Sequence, residues 1–163
     1  MEDMNFSPLT KPLIFDSHAH YDDERLIGCG DELFTELSKS VVGIITCSCD
    51  FASCEAAKTL AENHGFVYFS AGIHPENVGS VDGLSKDCIN TKITEFSKHK
   101  KCVAIGEIGL DYYWTEENIS QQKEIFSTQL ELSRTLDMPV IIHDRDAHAD
   151  TLEMLKRFKP KGV

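Results

Sequence analysis

No stretch of this 163-residue chain approaches the ~20 consecutive apolar residues needed to cross a bilayer, so no membrane-spanning helix is expected. The first eleven residues, Met1 to Lys11, include Glu2, Asp3 and Pro8 and lack the basic-then-apolar order of a signal peptide. A cytoplasmic, or nuclear, location is the resulting expectation. Basic residues are scarce: 16 Lys and Arg stand against 27 Asp and Glu, a formal charge of −11. A surface that coats nucleic acid needs a basic face, and this composition excludes one. It leaves room for an enzyme acting on phosphodiesters, because bound metal ions can supply local positive charge. Disulfide scaffolds and zinc fingers are absent too. Cys29, Cys47, Cys49, Cys54, Cys88 and Cys102 show no C-x-x-C or finger spacing and read as reduced and mostly packed. Cys49 is set apart by its expected place near the end of a strand.

What is present is one β/α alternation without linker, repeat or low-complexity segment. Strands are predicted at Leu13–Ser17, Val41–Cys47, Phe66–Ala71, Cys102–Gly106 and Pro139–His143. Helices are predicted at about 31–39, after a cap at Asp50 until Gly65, and at 84–97, 119–136 and 147–157. Continuous apolar strand runs point to a parallel sheet covered by helices. A closed eight-unit barrel takes ~250 residues, so five βα units read as about five-eighths of one, cut before strand six. An open, doubly wound sheet is the alternative. Residues 1–11 read as an N-terminal extension and residues 12–163 as a single domain.

Polar residues recur at the strand C-termini, where parallel barrels place their chemistry. His18 and His20 share a face at the end of strand one, half of a metal site. The plainer alternative is one buried and one exposed histidine near a turn. Glu107 ends strand four and His143 ends strand five. Both read as metal ligands, with a helix cap or an ion pair as the other reading for Glu107. His74, in Gly72-Ile73-His74-Pro75, could orient substrate or touch metal. Arg145 could hold a phosphate, or could pair with Asp144, Asp146 or Asp150. Tyr112, Tyr113 and Trp114 could stack on a base or fold onto the core. His64 and His99 read as packing or surface residues. Near the rim, Arg25 and Arg145 are the main cations, which suits gripping a strand end rather than wrapping a duplex.

Four motifs then stand in order: Phe15-Asp16-Ser17-His18-Ala19-His20, Gly72-Ile73-His74-Pro75, Gly106-Glu107-Ile108-Gly109-Leu110-Asp111-Tyr112 and Ile142-His143-Asp144-Arg145-Asp146-Ala147. They resemble the successive signatures of the TatD family of metal-dependent deoxyribonucleases, from about residue 12 to the end of the chain. The resemblance implies an amidohydrolase-like (β/α)8 barrel with two divalent metals, Mg²⁺ or Mn²⁺, with Zn²⁺ also seen in such sites. By it, His18 and His20 hold one metal, Glu107 bridges both and His143 holds the second. Family members are described as DNases, several of them 3′→5′ exonucleases, tied to DNA repair or to fragmentation in cell death. The family's later histidine and aspartate, after strands six and eight, have no counterpart within these 163 residues. Three readings follow: a fragment of a longer protein, a chain completed by another chain, or an inactive relative. DNA strand ends are the expected substrate, and the open barrel edge is expected to favour self-association. Rival functions are hydrolysis of another ester or amide, such as an aminoacyl ester on tRNA, and a non-catalytic metal- or partner-binding role.

Overall fold

The computed structural model describes residues 13–114 and 117–163, so residues 1–11, the expected extension, lie outside it. Five parallel strands form one sheet: β1 (Ile14–Ala19), β2 (Val41–Thr46), β3 (Val67–Ala71), β4 (Cys102–Asp111) and β5 (Val140–Arg145). Their spatial order is their sequence order. That order decides between the two expected architectures. A doubly wound sheet reverses direction at a switch point. Strands that follow one another, each joined by a right-handed crossover, put every helix on the same face and curl the sheet toward closure. The chain is therefore an incomplete TIM-type barrel.

The helices are α1 (Glu24–Ile27), α2 (Gly30–Leu37), α3 (Phe51–Asn63), α4 (Lys86–Ser97), α5 (Ile119–Thr135) and α6 (His148–Phe158). Local chemistry starts two of them. The Asp50 carboxylate accepts the Ser53 N–H at 2.8 Å and the Ser53 hydroxyl accepts the Asp50 N–H at 2.9 Å, a reciprocal capping box for α3. Ser85 caps α4 by accepting the Cys88 N–H. The core lies where sheet meets helices, and Ile44, Phe69, Ile105, Ala57, Ile93 and Leu130 are fully enclosed within it. The outermost strands are β1 and β5, and Leu13, Ile14 and Phe15 are exposed at the β1 side.

Several elements differ from the sequence expectation, among them β5, which runs on to Arg145 so that His143 lies within the strand rather than at its end. β1 continues through His18 to Ala19, because Ala19 pairs with Thr46 of β2. β4 continues to Asp111, so Glu107 lies within the strand rather than at its end, and Asp111 belongs to the strand rather than to an aromatic loop. The extension is held by pairing of Ile108, Gly109, Leu110 and Asp111 with β5. The glycines at 106 and 109 permit close approach of the two strands. A 3-10 helix, Pro75–Val81, follows β3 directly and places His74 at its N-terminus.

Candidate metal centre

Glu107 is the hub. It is 4% exposed, yet it is an acid inside a strand of apolar neighbours. Four imidazoles compensate it. Its Oε2 lies 3.1 Å from His18 Nε2 and 3.4 Å from His20 Nε2. Its Oε1 lies 3.1 Å from His143 Nδ1 and 3.8 Å from His74 Nε2. Burial by itself would raise the Glu107 pKa, but hydrogen bonds from His143 and His20 and the fields of His74 and His18 outweigh it, and the carboxyl is held well below its ordinary range.

The donor set fits divalent cations. His18, His20 and Glu107 offer three ligand atoms within 4.8 Å of one another, and so do His74, Glu107 and His143. Ligands at 2.0–2.1 Å around a tetrahedral ion stand about 3.3 Å apart, close to the spacings found here. One carboxylate oxygen faces each group, so Glu107 is the member the two groups share.

The tautomers divide the roles further. Nδ1 of His74 accepts the Glu76 N–H at 3.2 Å, which caps the 3-10 helix. In the neutral ring the proton then sits on Nε2, the atom facing Glu107, so His74 presents a donor rather than a lone pair. Burial, followed by the field of His143, pushes its pKa down to about 4 and keeps the ring neutral. Nε2 of His143 meets Asp111 Oδ2 at 2.8 Å. An ionised carboxylate only accepts, so Nε2 carries a proton and Nδ1 is the atom able to face a cation. His20 is raised to about 10 by contact with Cys49 and then with Glu107; the Cys49 sulfur lies 3.9 Å from its Nδ1.

The site's backbone is braced from elements far away in sequence. The turn after β2 accepts two N–H groups, Glu107 to Ser48 O at 2.9 Å and His74 to Cys49 O at 2.8 Å. Two glutamines of α5, seven residues apart and so on one helix face, clasp strand-end backbone as a neighbouring strand would. Gln129 accepts from Ile73 N–H at 2.7 Å and donates to Ile73 O at 3.0 Å. Gln122 accepts from Asp111 N–H and donates to Asp111 O, both at 2.8 Å. Replacing Gln129 with Leu keeps the volume but strands the buried N–H and C=O of Ile73, next to His74. We expect a loss of roughly 3 kcal/mol, read from the urea midpoint. An unchanged midpoint would remove Gln129 from the bracing.

The structure brings together His18, His20, His74, Glu107 and His143, and a cleft lined by His20, Asp22, Cys49, His74, Glu107 and His143 opens over them. Arg145 is not in that lining. Its guanidinium lies over the Tyr113 ring, 3.7 Å from the centroid. Among the described residues none of the expected carboxylates pairs with it: Asp144 contacts His148, and Asp150 contacts Lys123 and Tyr112. Arg25, the other rim cation, is engaged by Asp23 through two nitrogens at 2.8 Å. His64 stacks on Phe34 and His99 contacts Glu62 and Phe69, both away from the cleft. Sequence reasoning missed Asp111, Gln122 and Gln129. Asp111 closes a motif that was legible, whereas nothing in the helix marks the glutamines.

Fold and site together define a segment of a parallel βα barrel with a histidine–carboxylate centre able to hold divalent metal at its strand C-termini. A family model described as TatD related DNase matches residues 15–163, and the chain belongs to that family. It is 35% identical over 152 residues to the "uncharacterized metal-dependent hydrolase YabD" of Bacillus subtilis, covering 93% of this chain and 58% of that protein. It is 28% identical over 149 residues to the "3'-5' ssDNA/RNA exonuclease TatD" of Citrobacter koseri, covering 91% and 56%. Among solved structures, the TatD homologue YJJV of Escherichia coli superposes with a TM-score of 0.77 at 28% identity, over 89% of this chain and 56% of that one. A TatD-family hydrolase from Entamoeba histolytica, at 18% identity and a TM-score of 0.76, shows the shared fold. The chain thus spans less than two thirds of the length of these relatives.

Proposed function

We propose that the protein to which this chain belongs is a metal-dependent phosphodiesterase that hydrolyses DNA at strand ends, by 3′→5′ exonuclease action. The observation that supports this most is the buried Glu107 carboxylate, whose two oxygens face two separate histidine groups. In this reading His18, His20 and Glu107 hold one ion, and Glu107 and His143 contribute to a second, with Mg²⁺ or Mn²⁺ the expected ions. When bound, such ions act as Lewis acids, stabilising charge on the attacking and leaving oxygens and lowering the pKa of water.

The chain's own residues do the rest. Asp111 holds the His143 ring in one orientation through Nε2. The Nε2–H of His74 is free to donate to a non-bridging phosphate oxygen as charge builds there. Arg145, unpaired by the carboxylates beside it, offers paired donors to a neighbouring phosphate. Among the described residues no helix is long and apolar enough to cross a membrane. Six free thiols suit a reducing compartment, the cytoplasm or nucleus.

The test is degradation of end-labelled single-stranded DNA by the full-length protein with Mg²⁺ or Mn²⁺. EDTA and His143→Ala should each abolish it. Turnover that survives both would overturn the two-metal reading. Turnover of an aminoacyl ester but not of DNA would move the same centre to carbonyl hydrolysis.

A further inference from the structure

Beside the metal centre lies an aromatic surface that the hydrolytic reading does not use. Tyr113 is 54% exposed and Trp114 63%, unusual values for two large rings in succession. Their rings meet edge to face, with centroids 4.8 Å apart and planes at 89°. The Arg145 guanidinium covers Tyr113 and lies 5.2 Å from the Trp114 ring. Such rings are normally folded onto a core; here both stand largely in solvent.

Asp111 ties this surface to the site. One of its oxygens meets His143 Nε2 at 2.8 Å. The other accepts the N–H of Tyr113 at 2.9 Å and that of Trp114 at 3.4 Å. Arg145 is held by the same register, since Asp111 and Arg145 are strand partners and Arg145 O accepts the Tyr112 N–H. One buried carboxylate therefore sets the aromatic pair at a fixed place relative to a candidate metal ligand.

We propose that Trp114, with Tyr113 and Arg145, forms a stacking shelf for an unpaired nucleobase of the nucleic acid whose backbone reaches the metal centre. This deepens the nuclease reading and rests on it. The chemistry selects the ligand. A base in a duplex has both faces covered, so an open indole face is useful only to a base out of the stack. The guanidinium adds an electron-poor plane beside the ring. With a formal charge of −11, the chain gains little from coating phosphates, and stacking carries the grip. The shelf thus selects single-stranded ends over blunt duplex.

Trp114 is the only tryptophan of this chain and reports on its own occupancy. A single-stranded phosphorothioate oligonucleotide, titrated with Mg²⁺ present, should quench its fluorescence. The same strand with an abasic terminal nucleotide should not. Trp114→Ala should weaken oligonucleotide binding, followed by anisotropy of a dye at the far end, by roughly five- to 150-fold, and Trp114→Phe should restore most of it. Binding without quenching, no binding at all, or equal affinity for Trp114→Ala and the parent would overturn the shelf. Hydrolysis of methyl p-nitrophenyl phosphate with Mn²⁺, which needs no base, tests the phosphodiesterase reading separately. Its absence would sink that reading, while the quenching data decide the shelf.

Discussion

Glu107→Gln is expected to empty the centre of metal. The amide is nearly isosteric and leaves the fold of β4 in place, but it is neutral and a poor ligand for hard divalent ions. Both candidate metal groups lose their shared member at once, because Oε2 faces His18 and His20 while Oε1 faces His143 and His74. Single histidine substitutions remove a ligand from one group only. Metal content of the purified variant, measured by elemental analysis, should fall to background. Turnover by the full-length protein should fall by about 10³-fold or more, since bound ions are worth several kcal/mol of charge stabilisation and 1.36 kcal/mol is tenfold in rate. Glu107→Asp, which keeps the charge on a shorter arm, should retain part of the metal. A Glu107→Gln chain that still carries the parent's metal would refute the hub role.

The second large effect is at Gly109, which carries no chemistry. Its φ is +151°, and a Cβ built there would stand 1.9 Å from the His143 carbonyl oxygen and 2.9 Å from its carbonyl carbon. These are backbone atoms of the paired strand, so no rotamer change relieves the clash, and the left-handed backbone adds strain for any residue with a Cβ. Gly109→Ala must push β5 away at His143 itself. We expect destabilisation of about 4–5 kcal/mol or more, which for a chain of this size lowers Tm by roughly 10–20 °C. Metal affinity should fall with it, as His143 loses its position. Gly65→Ala, where a Cβ meets nothing within 4 Å, is the matched control and should change stability by less than about 0.5 kcal/mol. Equal Tm values for the two variants would contradict the close-packed β4–β5 seam.

Much of this protein was legible one residue at a time. The β/α alternation, the cap at Asp50 and the histidines at 18, 20, 74 and 143 announce themselves through local rules: apolar runs, capping residues, and polar side chains where strands end. Those rules act over a few residues, so they survive without any knowledge of the neighbours. The extent of β4 did not follow from them, because glycines at 106 and 109 look like a break until β5 is seen to need their lack of side chain.

What only the tertiary structure decided is how the site is held. Gln129 reaches Ile73 across 56 residues and His143 reaches Glu107 across 36. Such contacts depend on where two elements meet in space, and an isolated glutamine on a helix gives no sign of it. The same holds for Asp111, whose two oxygens divide between a histidine ring and the backbone of the aromatic pair. The sequence by itself determined which chemical groups sit at the strand ends, because that depends on local backbone periodicity. The fold decided that Glu107 is the point on which they converge, because a buried carboxylate is stable only where partners arrive to compensate it, here from the ends of β1 and β3 and from β5.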